Sequence, residues 1–101
     1  MKRMIQYKVK ADASAENERL VKAVFEELGR VRPKGFRYVT VRQDDGVSFV
    51  HVATYDEGVD SSVLTTLPSF KAFVAGIRER CETLPATTEL QEIGSYGFAG
   101  S

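Results

Sequence analysis

The sequence contains no tryptophan, one cysteine and one histidine. A lone Cys81 excludes an internal disulfide and any cluster of cysteine ligands. With His51 the only imidazole, no pair of His or Cys residues stands at zinc-ligand spacing, so no metal is expected. Long apolar runs are missing too, because charges interrupt every segment well short of the roughly 20 residues that a membrane-spanning helix needs. Met1, Lys2 and Arg3 open a charged, alternating stretch rather than the apolar centre of an export signal, which makes a cytoplasmic protein the expectation. No charge sign dominates: 14 Lys and Arg balance 14 Asp and Glu. The halves differ mildly, with 11 basic and 7 acidic residues over 1–50 and 3 and 7 over 51–101. A pI of 6.6 and the absence of a concentrated basic face argue against a nucleic-acid partner.

What the chain does have is a core. With 101 residues, 43% of them apolar, it is long enough for one domain spanning 1–101 and too short for two. Residues 4–10 alternate, Ile5, Tyr7 and Val9 against Gln6, Lys8 and Lys10, as a half-buried strand does. Asp12 and Ser14 offer helix-capping oxygens, and Leu20, Val21, Val24, Phe25 and Leu28 form one apolar stripe, so a helix is expected over 15–30, stopping at Gly29. Residues 36–42 and 47–55 read as two strands joined around Asp45-Gly46. A loop over 56–66 precedes a second helix over 68–82, which starts at Pro68, carries Phe70, Phe73, Val74 and Ile77, and ends before Pro85. A last strand is expected within 88–98.

This βαββαβ order predicts an α+β, ferredoxin-like domain: a four-stranded antiparallel sheet in the order 4-1-3-2 with both helices on one face. Residues 47–53 are apolar on both sides, so the helix-free face needs a cover, and a second copy of the chain is the simplest one. The opening Met4-Ile-Gln-Tyr-Lys-Val9, the strand Phe49-Val-His-Val-Ala-Thr-Tyr55, the helix start Pro68-Ser-Phe-Lys-Ala-Phe73 and the ending Ile93-Gly-Ser-Tyr-Gly-Phe98 resemble the antibiotic-biosynthesis-monooxygenase-like group. That resemblance implies a homodimeric α+β barrel binding a small hydrophobic or aromatic molecule. It also implies, as in some members, oxygenation without flavin or metal. Haem degradation is set aside, since residues 68–82 hold no histidine to ligate the iron.

His51 is the leading candidate for a catalytic base, its near-neutral ordinary pKa suiting the removal of a phenolic or enolic proton. Tyr7, Tyr38 and Tyr55 share its parity and are expected to line one cavity between sheet and helices, with Tyr55 as a second catalytic group and Phe49 and Phe73 among the apolar walls. Arg30, Arg32, Lys34, Arg37 and Arg42 form a basic run without an intervening acid, read mainly as the guard of an exposed sheet edge. Arg37 is expected on the helix-free face, answered by Glu89 or Glu92 across a dimer. Two alternatives stay open beside the oxygenase: a non-catalytic ligand-binding module, and an isomerase that consumes no oxygen.

Overall fold

The computed structural model describes residues 1–98. β1 (Lys2–Val9) leads through a 3₁₀ turn at Ala11–Ala13 into α1 (Ser14–Val31), and β2 (Phe36–Arg42) and β3 (Ser48–Tyr55) form a hairpin. Three short helices follow, α2 (Ser62–Thr65), α3 (Pro68–Ala75) and α4 (Ile77–Arg80), before β4 (Cys81–Leu90). All pairings are antiparallel and the strand order is β2-β3-β1-β4, the expected 4-1-3-2 read from the other edge.

Strand parity works as the alternation requires. Tyr7, Val9, Phe49, Ala53 and Tyr55 turn inward and are buried, and Tyr7, Val9 and Phe49 pack with Val21 and Val24 of α1, Leu64, Leu67 and Phe73. Each such side chain taken fully out of water contributes on the order of 1.5–3 kcal/mol before the entropy of ordering it is subtracted. The hairpin turns at Gly46, whose φ of 79° suits a residue without Cβ, and the Asp45 carboxylate accepts from the Val47 and Ser48 amides.

Several boundaries differ from expectation. α1 does not stop at Gly29; Arg32 takes the left-handed position at φ 51°, its N–H donating to the Leu28 carbonyl at 2.8 Å. Ser14 caps no helix and instead donates to the Gly46 carbonyl, tying α1 to the hairpin. The loop after β3 contains α2. The helix expected over 68–82 breaks at Gly76 into α3 and α4, and the strand expected within 88–98 begins at Cys81. Pro85 therefore terminates no helix. It lies in the edge strand β4, where Gln6 faces Ala86 and Lys8 faces Thr83, so Leu84 and Pro85 bulge out opposite Tyr7 alone. Residues 91–98 lie outside the sheet, with Ile93 91% and Tyr96 95% exposed.

Gly35 and Gly46 give a stability test. Both have positive φ, but a Cβ on Gly35 would come within 2.9 Å of Val59 Cγ2, whereas one on Gly46 meets nothing within 4 Å. Gly46→Ala should cost about 1–2 kcal/mol, the left-handed penalty alone, and Gly35→Ala should cost more. Urea denaturation of the two variants checks the order.

Candidate functional site

His51 sits in the middle of β3, opposite Ile5 on β1 and Thr40 on β2. Tyr7 and Tyr38 are therefore its diagonal neighbours on either side, a separation that long aromatic side chains span. Tyr7 Oη lies 2.8 Å from His51 Nε2, and Tyr38 Oη lies 2.6 Å from His51 Nδ1, with Thr40 Oγ1 at 3.1 Å from the same nitrogen. The imidazole is 3% exposed. Burial makes its charged form costly and pushes its pKa down to about 4, so the ring is neutral at physiological pH. Burial also raises the Tyr7 and Tyr38 hydroxyls well above the ordinary phenol range, against the opposing hydrogen bonds from Asn17 and Thr40 respectively.

Behind Tyr7 the network continues into residues that sequence reasoning did not single out. Asn17 of α1, fully buried, donates from Nδ2 to Tyr7 Oη at 2.9 Å. Arg80, at the end of α4, donates from Nε to Asn17 Oδ1 at 3.1 Å and from a terminal nitrogen to the Phe73 carbonyl at 2.6 Å. Its guanidinium lies 5.3 Å from the centre of the Phe73 ring, a cation against an aromatic face. The signal for both residues was available as polar side chains on apolar stripes: Asn17 is in phase with Val21, Val24 and Leu28, and Arg80 with Phe73 and Ile77.

The expected site residues separate into two groups. Tyr7, Tyr38 and His51 converge, Phe49 stacks on Tyr7 at 5.6 Å, and Phe73 packs against His51 at 5.4 Å. Tyr55 does not join them; it lies four residues further along β3 and packs against Phe36 at 5.1 Å. The expected cavity between sheet and helices is filled, since Tyr7, Phe49 and Phe73 are buried in the core. A smaller hollow of about 300 Å³ lies at its margin, lined by Phe25, Leu28, Gly29, Arg32, Pro33, Phe36 and Tyr38. Tyr38 is the one member of the hydrogen-bonded chain that reaches it. A larger open groove of about 1020 Å³ lies on the helix-free face, between Val39, Val52 and Thr54 and the segment 90–98.

No family model matches the chain, and no curated protein matches it in sequence. Solved structures do. A crystal structure described as an antibiotic biosynthesis monooxygenase superposes with a TM-score of 0.76 at 15% identity, covering 92% of this chain and 98% of the other. The chain has the fold of that group. A protein of Nitrosomonas europaea provisionally assigned as an antibiotic biosynthesis monooxygenase gives 0.76 at 13% identity over 91% and 88% of the two chains. A mutant of SnoaB, a cofactor-independent oxygenase from Streptomyces nogalater, gives 0.63 at 18% over 90% and 92%. The single-chain fold read from the sequence, a four-stranded antiparallel sheet with helices, is thus the one these proteins share.

Several charged groups of the basic run and of the last segment are paired within the chain. Arg30 pairs with Glu26, Arg42 with Glu18, and Arg37 with Asp56 of its own chain at 3.1 Å, while Glu92 pairs with Lys2 and Glu89 stands 3.9 Å from Arg3. Within its own chain Arg37 is thus answered by Asp56. Among the described residues no cluster of His, Cys, Asp and Glu is arranged to hold a metal, and no helix is long and apolar enough to cross a membrane.

The buried neutral imidazole makes stability depend on pH. An unfolded histidine takes a proton near its ordinary value of 6.5, whereas His51 in the fold resists protonation down to about 4. The unfolded state therefore binds more protons between those limits, and the fold loses stability as pH falls from 6.5 towards 4, by about 3 kcal/mol in all. His51→Gln should remove this part of the pH dependence. Urea denaturation of both proteins at several pH values between 7.5 and 4 measures the difference.

Proposed function

We propose that the protein is a cofactor-independent monooxygenase acting on a small phenolic or hydroxy-carbonyl compound bound at the Tyr38 hollow. The supporting observation is the polar chain itself. Tyr38, whose hydroxyl is engaged by a buried neutral imidazole, also lines a hollow together with Phe25 and Phe36. A structural likeness to a protein described as a cofactor-independent oxygenase favours the same chemistry.

In this reading the substrate hydroxyl lies against Tyr38 and loses its proton to solvent at the open side of the hollow. The Tyr38 hydroxyl then donates to the oxyanion, a role in which one well-placed donor is worth about 10²–10³ in rate. The electron-rich ring carbon passes one electron to dioxygen, and the two radicals join to form a carbon–oxygen bond. The peroxide takes up a proton, the ring carbon loses its hydrogen, and the O–O bond breaks. One oxygen atom remains as a new carbonyl and the other leaves as water, so a phenol's O–H and ring C–H together with O₂ become the two C=O groups of a quinone and one H₂O. His51 does not touch the substrate; it holds Tyr38. Phe25, Leu28 and Phe36 give the hollow an apolar side that suits a flat ring, and Arg32 adds a cation that suits its negatively charged oxygen.

The second reading is a ligand-binding module without catalysis, favoured by one observation. Both nitrogens of His51 are already engaged inside the protein. Oxygen uptake with a panel of phenols, naphthols and hydroquinones separates the readings. Turnover with oxygen consumption is expected, and Tyr38→Phe should lower kcat/KM about 10²-fold. Saturable binding without uptake would replace the oxygenase with the binding module, and conversion without oxygen would point to an isomerase.

The same proposal includes a homodimer across the helix-free face. Val39 and Val41 are about half exposed there, beside the large groove and the unpacked Ile93, Tyr96 and Phe98. Light scattering should give twice the 11.2 kDa of one chain. A monomer at micromolar concentration would remove the dimer from the proposal.

A further inference from the structure

The polar chain has a direction, and donor counting fixes it. Arg80 Nε can only donate, so the Asn17 atom 3.1 Å away is the carbonyl oxygen, and the amide nitrogen faces Tyr7. That nitrogen can only donate, so the Tyr7 oxygen accepts from it. The Tyr7 proton then has His51 Nε2, 2.8 Å away, as its acceptor. Nε2 therefore carries a lone pair, and the proton of the neutral ring is on Nδ1, from which it is donated to Tyr38 Oη at 2.6 Å. Tyr38 accepts from the imidazole, and its own proton points away from the ring, towards Thr40 or a ligand.

We propose that Asn17 and Arg80 are positioning residues that hold His51 in the Nδ1–H tautomer and thereby make Tyr38 a hydrogen-bond donor to whatever occupies the hollow. The functional half of this rests on the reading of Tyr38 as the ligand-facing hydroxyl; the tautomer does not. The arrangement polarises four hydrogen bonds in one sense, with the Arg80 cation at one end and Tyr38, which also lines the hollow, at the other. Negative charge developing on a bound oxygen is stabilised through the whole chain, because each donor strengthens the next. The same logic predicts reversal. An aspartate at position 17 has two acceptor oxygens, one for Arg80 and one for the Tyr7 proton. Nε2 then faces a lone pair on Tyr7 and must be protonated, Nδ1 becomes an acceptor, and Tyr38 turns its proton inward.

Nitrogen-15 spectra of histidine-labelled protein at neutral pH read the tautomer directly, without any activity. The natural chain should show Nδ1 protonated and Nε2 bare, and Asn17→Asp should show the opposite pattern. If Asn17→Asp fails to fold, Asn17→Leu is read in its place and should give a mixture of the two forms, since the bias on Tyr7 is gone. Nε2–H in the natural chain would overturn the proposal, as would an unchanged tautomer in the variant that folds. A correct tautomer in a protein that consumes no oxygen would sink the oxygenase while leaving this inference standing, and the reverse result would do the opposite.

Discussion

Arg80 carries a positive charge under a sheet whose other inward residues are mostly apolar, and it must be hydrogen-bonded where water does not reach. Among the described residues no carboxylate pairs with it. Its donors go to the Phe73 carbonyl and the Asn17 side chain, and its flat face lies on the Phe73 ring. The helical segment has to fold back for this to happen. Gly76, between α3 and α4, permits it: a Cβ at that position would stand 3.1 Å from an Arg80 nitrogen. The broken helix, the buried asparagine and the paired tyrosines are thus one solution to a single constraint. Among the described residues every buried side-chain nitrogen and oxygen has a partner.

The strands were legible because period-2 alternation and the Asp45-Gly46 turn act locally. β2 lies where the alternation put it, and β3 begins one residue later. The last third of the chain was not legible for a specific reason. Pro85 reads as a helix terminator in a sequence of helix-forming residues, yet in an edge strand a proline needs only a bulge and a missing ladder bond. Two meanings of one residue could be told apart only by knowing which strand β4 pairs with. The aromatic ending Tyr96 and Phe98 imitated strand composition, but composition without a partner does not make a strand.

The site was half legible. Parity alone placed Tyr7, Tyr38 and His51 on one face, and register then made them diagonal neighbours. Parity also admitted Tyr55, because alternation says which side a residue faces and not how far along the strand it lies. Asn17 and Arg80 stayed hidden in segments crowded with Glu, Arg and Lys, where a polar residue looks solvated. Their positions on the apolar stripes were the contrary signal. A polar residue at a buried helical phase must have a buried partner, and finding that partner takes the third dimension.

The bulged edge strand has a consequence for how copies of this sheet meet. Pro85 has no amide proton to offer, and the register slips of β4 spoil the even row of donors and acceptors that an incoming strand would need. At the opposite edge, β2 carries Arg37 and Arg42, each anchored to an acid of its own chain. Lateral growth of the sheet into a continuous ribbon, the route to fibrils, is discouraged at both ends. The exposed apolar surface of the molecule is instead the valine face, where side chains rather than unpaired backbone groups meet the solvent.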